Sequence, residues 1–134
     1  MLLNKLIKPV YAHCDIPCGI YETDTMRHSA DTCKKMLEKI QELGDLDSIE
    51  KHNTFVRSVT NKEKHAQNVK REIYILWSDY FKPEHLEKFP DFHDRLWNTA
   101  KQASKVKQTV SMHEVDKLIS MVADIDKMFV ESKK

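Results

Sequence analysis

The sequence has few of the residues that an all-β fold needs at its turns. Its 134 residues include only two glycines and four prolines, whereas sandwiches and barrels need many turn residues. No apolar run is long enough to cross a bilayer as a helix. The 22 basic and 21 acidic side chains nearly balance, so the basic excess of a nucleic-acid-binding protein is missing. These absences favour a single helical domain that binds neither nucleic acid nor membrane.

Apolar residues that recur at three- and four-residue intervals predict four amphipathic helices. The helices are expected at about 23–43, 53–81, 90–107 and 111–129, and the polar residues 45–53 are expected to connect the first two. With short connections, this pattern predicts an all-α, antiparallel up-down four-helix bundle. The expected core residues are Met26, Ala30, Cys33, Leu37, Ile40, Leu43, Phe55, Val59, Ala66, Val69, Ile73, Leu76 or Trp77, Tyr80, Phe92, Leu96, Ala100, Ala103, Val115, Leu118, Ile119, Val122, Ile125 and Phe129.

Residues with strong positional preferences mark the helix ends. Thr23 or Asp24 is suited to cap the first helix, and Gly44 is suited to stop it. Asn53 or Thr54 is suited to cap the second helix. Ser111 and Glu114 form a capping-box pattern, in which each side chain accepts from a free backbone N–H at the start of the fourth helix.

The segment 13–21, here called the hook, reads His-Cys-Asp-Ile-Pro-Cys-Gly-Ile-Tyr and has the densest set of soft metal ligands in the chain. His13, Cys14 and Cys18 supply one imidazole and two thiols. Pro17 and Gly19 allow the backbone to reverse so that both thiols reach one ion. The third cysteine, Cys33, lies in the apolar stripe of the first helix and is expected to be a small buried hydrophobe.

Residues 1–12 have the features of a removable leader. They end in the small residue Ala12, while Lys5 and Lys8 interrupt the apolar content that a secretory signal needs. We therefore expect a leader at 1–12 and a mature domain at 13–134 in a cytoplasmic protein, with export by another route left open. A reducing compartment would keep the thiols available for a metal.

Cleavage after Ala12 would make His13 the N-terminal residue and add its α-amine to the possible ligands. That amine, the amide nitrogen of Cys14 and the thiolates of Cys14 and Cys18 could surround a metal in a plane. Such a set suits Ni(II) or Cu(II), whereas zinc prefers a tetrahedron. The imidazole of His13 would remain for an axial position, and Tyr21 could offer a phenol to a small anion.

Two further blocks accompany the hook. Residues 77–83 read Trp-Ser-Asp-Tyr-Phe-Lys-Pro at the end of the second helix, and residues 125–129 read Ile-Asp-Lys-Met-Phe near the C-terminus. Considered alone, these aromatic residues would be assigned to the core. Together with the hook, they resemble the nickel superoxide dismutase family over residues 13–134.

The resemblance implies an enzyme that converts superoxide to dioxygen and hydrogen peroxide by alternating Ni(III) and Ni(II). It implies a homohexamer in which each subunit holds one nickel ion in its N-terminal hook. A processing protease would expose this hook by removing the leader. The metal ligands would be His13, Cys14 and Cys18.

The resemblance also implies roles for residues around the metal. Asp15 would shape the hook, and Tyr21 and Tyr80 would border the substrate pocket. Lys82 and Lys88 are candidates for steering the superoxide anion, although solvated surface lysines are an equally good interpretation of each.

The chain departs from the better-known family members at two positions that support the axial imidazole. Those members have a glutamate on the first helix and an arginine on the second. Counting along this chain places Ser29 and His65 at these positions. Glu63 or His65 is then the expected alternative support.

Two other functions compete with the dismutase. The changes at Ser29 and His65 motivate a non-catalytic nickel- or copper-binding helical bundle. The third hypothesis is a helical interaction protein whose hook is vestigial.

Overall fold

The computed structural model describes residues 19–134, so the leader and hook residues 13–18 lie outside the described part. This part is helical and contains no strand. The second helix continues into one π-helical turn at Leu76–Tyr80. The helices are α1 (Asp24–Glu42), α2 (Ile49–Ile75), α3 (His85–Lys88), α4 (Phe92–Gln108) and α5 (Met112–Ser132).

The four long helices form an antiparallel bundle in which each helix packs against the next, and α5 closes the ring on α1. Lys34, in the middle of α1, pairs with Asp116 near the start of α5 at 2.7 Å. The hydroxyl of Thr23, before α1, donates to Asp126 near the end of α5. The predicted up-down bundle is therefore confirmed, with the short helix α3 added. Among the described residues, no helix combines the length and hydropathy needed to cross a membrane.

Most of the predicted core residues are buried, but several, mainly on α2, are more exposed than predicted. Leu76 is buried, whereas the predicted alternative Trp77 is 36% exposed. Phe55 and Val59 are only half-buried. Ile40, Leu43, Tyr80 and Ile119 are also half-buried rather than enclosed. The remaining predicted core residues are buried as expected.

The N-cap of helix α2 lies five to six residues earlier than predicted. Ser48 has an extended backbone, and its Oγ accepts from the N–H of Lys51 at 3.2 Å, so it is the cap in place of Asn53 or Thr54. The first turn of α2 is exposed, and Ile49 is 78% exposed. Because Ile49 and Glu50 in this turn are exposed, the turn lacks the apolar periodicity by which helices are predicted. At the preceding turn, Gly44 has a φ of 57°, as expected for a helix stop.

The start of α5 confirms half of the predicted capping box. Ser111 Oγ accepts from the N–H of Glu114 at 3.4 Å. Glu114 instead accepts from Gln102 Nε2 at 2.6 Å and pairs with Lys105 Nζ at 3.0 Å, both on α4. The hydrogen bond from Gln102 and the bond to Lys105 lower the pKa of Glu114. This carboxylate therefore joins two helices rather than closing its own first turn.

We expect Glu114→Gln to lower the unfolding free energy by an amount that depends on pH. Because the native pKa of Glu114 is lowered, its contribution is complete above the ordinary value of 4.5 and is lost as the pH falls through the lowered pKa. Urea unfolding at pH 7 and at about pH 3 would measure this difference. The gap between wild type and variant should shrink at the lower pH. Glu42→Gln, at an exposed glutamate, is the control, and an equal change in both variants would contradict the assignment.

Lys62 is an enclosed cation inside the bundle and is only 1% exposed. Its Nζ donates to the carbonyl oxygens of Val106, Lys107 and Thr109 at 2.5, 3.0 and 2.9 Å. The last turn of a helix leaves such carbonyls without backbone donors. Burial lowers the pKa of Lys62. This side chain on α2 therefore caps the C-terminus of α4.

Candidate active site at one end of the bundle

Tyr21 and Tyr80 are distant in sequence, with 58 residues between them, and the fold places them side by side. The bundle end where they meet contains the start of α1 and the ends of α2 and α5. Their ring centroids lie 5.3 Å apart with an interplanar angle of 55°. The hydroxyl of Tyr21 donates to the backbone carbonyl of Asp79 at 3.5 Å. The two tyrosines predicted to border the substrate are thus neighbours, while their catalytic roles remain predictions.

The π-helical turn Leu76–Tyr80 sets the orientation of Tyr80. The N–H of Phe81 donates to the carbonyl of Leu76 at 2.9 Å, five residues earlier, so this turn holds one residue more than an α-helical turn. Leu76 therefore stays in the core while Tyr80 reaches the ring of Tyr21. Turns of this type recur at functional sites.

An aromatic cluster encloses the ring of Tyr80. Its centroid lies 4.7 Å from that of Phe129, 5.0 Å from Phe81 and 5.9 Å from the stacked imidazole of His85. The Tyr80 hydroxyl lies 2.7 Å from Ser132 Oγ in the last turn of α5. The sequence predicts no role for His85 or Ser132. No local pattern marks them, because α3 is only four residues long and Ser132 is an ordinary polar residue at a helix end.

Gly19 is the hook residue with which the described part begins. Its φ of 63° lies in the left-handed region, which favours glycine. This agrees with the expected use of Gly19 in a chain reversal. The predicted ligands His13, Cys14 and Cys18, and the predicted shaping residue Asp15, lie outside the described residues.

Cys33 is confirmed as a buried core residue. Its side chain is fully enclosed, and its Sγ donates to the carbonyl of Lys62 at 3.5 Å. Burial raises the pKa of this thiol to about 11, so it remains protonated near neutral pH. Within residues 19–134, no group of three or more His, Cys, Asp or Glu side chains is arranged to hold a metal ion. The imidazole and two thiols of the hook have the donor chemistry that nickel requires.

Ser29 and His65 lie at nearly the same level of the α1–α2 pair. Cys33 on α1 contacts Lys62 on α2. Because the two helices are antiparallel, Ser29, four residues before Cys33, lies at the level of Ala66, four residues after Lys62 and next to His65. Ser29 is buried, and His65 is half-buried. The Nδ1 atom of His65 is buried without a hydrogen-bond partner among the described residues. Burial, and to a smaller extent Lys64, lowers the pKa of His65.

The two alternative supports that the sequence suggests differ in exposure. Glu63 is exposed, and residues two apart on a helix do not share a face. His65 has the buried Nδ1 atom, and its support of His13 stays a prediction, because His13 lies outside the described residues.

The lysines proposed to attract superoxide also lie near this end of the bundle. Lys88 is exposed, and its Nζ donates to the carbonyl of Glu131 at 2.6 Å. Lys82 is half-buried, and its N–H donates to His85 Nδ1 at 2.9 Å. The Lys88 ammonium group therefore lies at the last turn of α5, whereas the contact of Lys82 is made by its backbone N–H.

Comparison with known proteins gives one consistent result. A sequence model of the family described as nickel-containing superoxide dismutase matches residues 8–133. The chain is 35% identical to the Superoxide dismutase [Ni] of Streptomyces seoulensis, with 99% of both chains covered. It is 37% identical to the Superoxide dismutase [Ni] of Streptomyces coelicolor, again with 99% of both covered.

Solved structures agree with this result. A native nickel superoxide dismutase structure superposes with a TM-score of 0.79 at 37% identity, covering 91% of this chain and 100% of that chain. A Ni-containing superoxide dismutase whose Ni-ligation corresponds to the oxidized state gives a TM-score of 0.81 at 35% identity, covering 90% and 98%.

Proposed function

The chain belongs to the nickel-containing superoxide dismutase family and is a nickel-dependent superoxide dismutase, and we propose that His13, Cys14 and Cys18 hold its nickel ion. The observation that carries this proposal is the sequence of the hook, which combines one imidazole with two thiols. The third cysteine is enclosed in the core. The named enzymatic relatives favour the dismutase over a non-catalytic nickel- or copper-binding bundle.

The ligand set requires a free amine at His13. With residues 1–12 removed, the α-amine and imidazole of His13, the amide nitrogen and thiolate of Cys14 and the thiolate of Cys18 are available. When bound, the ion supplies one-electron exchange with superoxide, which disproportionates to dioxygen and hydrogen peroxide. Sulfur and nitrogen donors make this exchange accessible to nickel, because they donate electron density to the metal.

Removal of the leader has support from the lengths of the relatives. The curated Streptomyces sequences cover 99% of this chain. The solved chains are matched over 98 to 100% of their own length but cover only 86 to 91% of this one. The uncovered share is no smaller than the share that residues 1–12 occupy. A processing protease would therefore be a partner of this protein, and 13–134 its mature domain.

Tyr21 and Tyr80 are proposed to border the path of superoxide to the metal, with Asp15 shaping the hook beside them. The contact between the two rings at 5.3 Å supports this assignment. A passage lined by two stiff aromatic rings favours a small substrate. Lys82 and Lys88 would attract the anion by their charge.

The proposed biological unit is a homohexamer in the cytoplasm with one nickel ion per subunit. The resemblance to the family supports the assembly, and the composition of the leader supports the compartment. Mass photometry of the nickel-loaded protein would measure the number of subunits directly.

We expect cleavage after Ala12 to be needed for tight nickel binding. Native mass spectrometry of protein produced with nickel and a competent maturation protease should show chains that start at His13 with one nickel each. The full-length chain should bind nickel at least about tenfold more weakly, because attachment of Ala12 converts the amine ligand into an amide.

The matched control is the same chain released at His13 by an unrelated protease from an N-terminal fusion. It should bind nickel and dismute superoxide without the natural protease. Equal nickel affinity of the cleaved and full-length chains would contradict the proposed role of the amine.

A further inference from the structure

Ser132 makes two hydrogen bonds that together determine which way the phenol of Tyr80 points. Its Oγ lies 2.7 Å from the Tyr80 hydroxyl and 2.6 Å from the carbonyl oxygen of Phe129. Tyr80 and Phe129 also pack ring against ring at 4.7 Å. The end of α5 therefore contacts Tyr80 through both an aromatic ring and a hydroxyl group.

The hydroxyl group of Ser132 donates its hydrogen to the carbonyl oxygen of Phe129. A carbonyl oxygen can only accept, so Ser132 must donate its single hydrogen across the 2.6 Å contact. In a regular α-helix the Phe129 carbonyl would accept from the N–H of Lys133, four residues later. That N–H donates to the carbonyl of Val130 instead, so the Phe129 carbonyl needs the Ser132 hydroxyl as its donor. Side-chain hydroxyls commonly satisfy carbonyls that a helix end leaves unpaired.

The phenol of Tyr80 is then the donor in the second bond. With its hydrogen on Phe129, the Ser132 oxygen has only lone pairs to offer to Tyr80. The Tyr80 hydrogen must therefore lie on the line to Ser132. The surrounding rings of Tyr21, Phe81 and Phe129 restrict movement of the Tyr80 ring, so the bond determines where the hydrogen points.

We propose that Ser132 is a positioning residue that holds the Tyr80 phenol as a hydrogen-bond donor toward α5 and away from superoxide. The inference rests on the proposed substrate path that Tyr21 and Tyr80 border. While the bond to Ser132 is made, Tyr80 presents only lone pairs to an anion in that path. Tyr80 then shapes the path with its ring, and a small anion gains no hydrogen bond from its hydroxyl.

The orientation of the phenol is measurable by ultraviolet resonance Raman spectroscopy. The intensity ratio of the tyrosine Fermi doublet distinguishes a donating phenol from an accepting one. The spectrum of Tyr80 is isolated by subtracting that of Tyr80→Phe from that of the parent protein. We expect a donor in the wild type, a donor in Ser132→Thr, and a loss of donor character in Ser132→Ala. An accepting phenol in the wild type, or an unchanged ratio in Ser132→Ala, would overturn the inference.

The functional consequence is tested with azide as a small anion on the nickel-loaded protein. Ser132→Ala frees the Tyr80 hydrogen, so azide should bind about threefold to tenfold more tightly, the range of one added hydrogen bond. The effect should vanish when Tyr80→Phe is also present, because the hydroxyl is then missing. Ser120→Ala makes the same substitution at an exposed site on α5 and should leave the azide affinity unchanged. Equal effects of Ser132→Ala with and without the Tyr80 hydroxyl would contradict the proposal.

The two measurements separate this inference from the proposed function. The Raman experiment reports the Ser132–Tyr80 bond whether or not nickel is bound. A protein that binds nickel through other residues would contradict the proposed ligand set, yet its Tyr80 spectrum would still decide the orientation. A correctly loaded enzyme with an accepting Tyr80 would overturn only the role of Ser132.

Discussion

Cys14→Ser and Cys18→Ser are each expected to reduce superoxide turnover to the level of the nickel-free protein. Serine hydroxyls remain protonated near neutral pH and are poor ligands for nickel, whereas thiolates bind it well and donate electron density to it. Nickel content should fall from one ion per chain to none. Pulse radiolysis would measure the turnover, and inductively coupled plasma mass spectrometry the metal content.

The third cysteine is the matched control. Cys33 is fully buried, and Cys33→Ala should retain nickel and full activity while losing about 1 kcal/mol of unfolding free energy through the small cavity it creates. Loss of nickel in Cys33→Ala, or retention of activity in either hook variant, would contradict the proposed ligand set.

Lys62→Met is expected to produce the largest loss of stability, about 3 kcal/mol. Methionine is similar in length and fills the same space, so the packing of α2 is largely kept. However, the carbonyls of Val106, Lys107 and Thr109 lose their shared donor. Chemical denaturation of the nickel-free protein at one fixed protein concentration would measure the change, since assembly shifts apparent stability.

The control is Lys64→Met, two residues along α2, where the lysine is exposed. The same substitution there should change the unfolding free energy by less than about 0.5 kcal/mol. Replacing buried charges by apolar residues is sometimes neutral in other proteins. Equal stabilities of the two variants would therefore show that the three hydrogen bonds only offset the cost of burying the ammonium group.

Helix prediction succeeded where one face of a helix is buried along its whole length. The stripes of α1, α4 and α5 are continuous, so their apolar residues recur with the helical period and their positions follow from the sequence. The prediction was wrong at the start of α2, where Ile49 is exposed and no buried apolar stripe marks the first turn. It also missed α3, because one helical turn contains too few residues to show a period.

The end of α2 illustrates a different limit. An extended helical period leaves Leu76 and Trp77 equally plausible as core residues. Leu76 is buried at the start of the π-helical turn, and the extra residue of that turn follows Leu76, where Tyr80 contacts Tyr21. A local sequence pattern does not reveal that extra residue, because Tyr80 packs against Tyr21 and Phe129 from distant parts of the chain.

The proposed metal-binding residues come from the amino-acid sequence alone, because they lie within six residues of one another and their chemistry is that of their side chains. The helical bundle could be inferred for a similar reason, since periodic burial leaves a periodic pattern. The environment of Tyr80 required the folded structure. Tyr21, Phe129 and Ser132 come from distant parts of the chain, and the direction of the Tyr80 hydroxyl depends on a carbonyl that the end of α5 leaves unpaired.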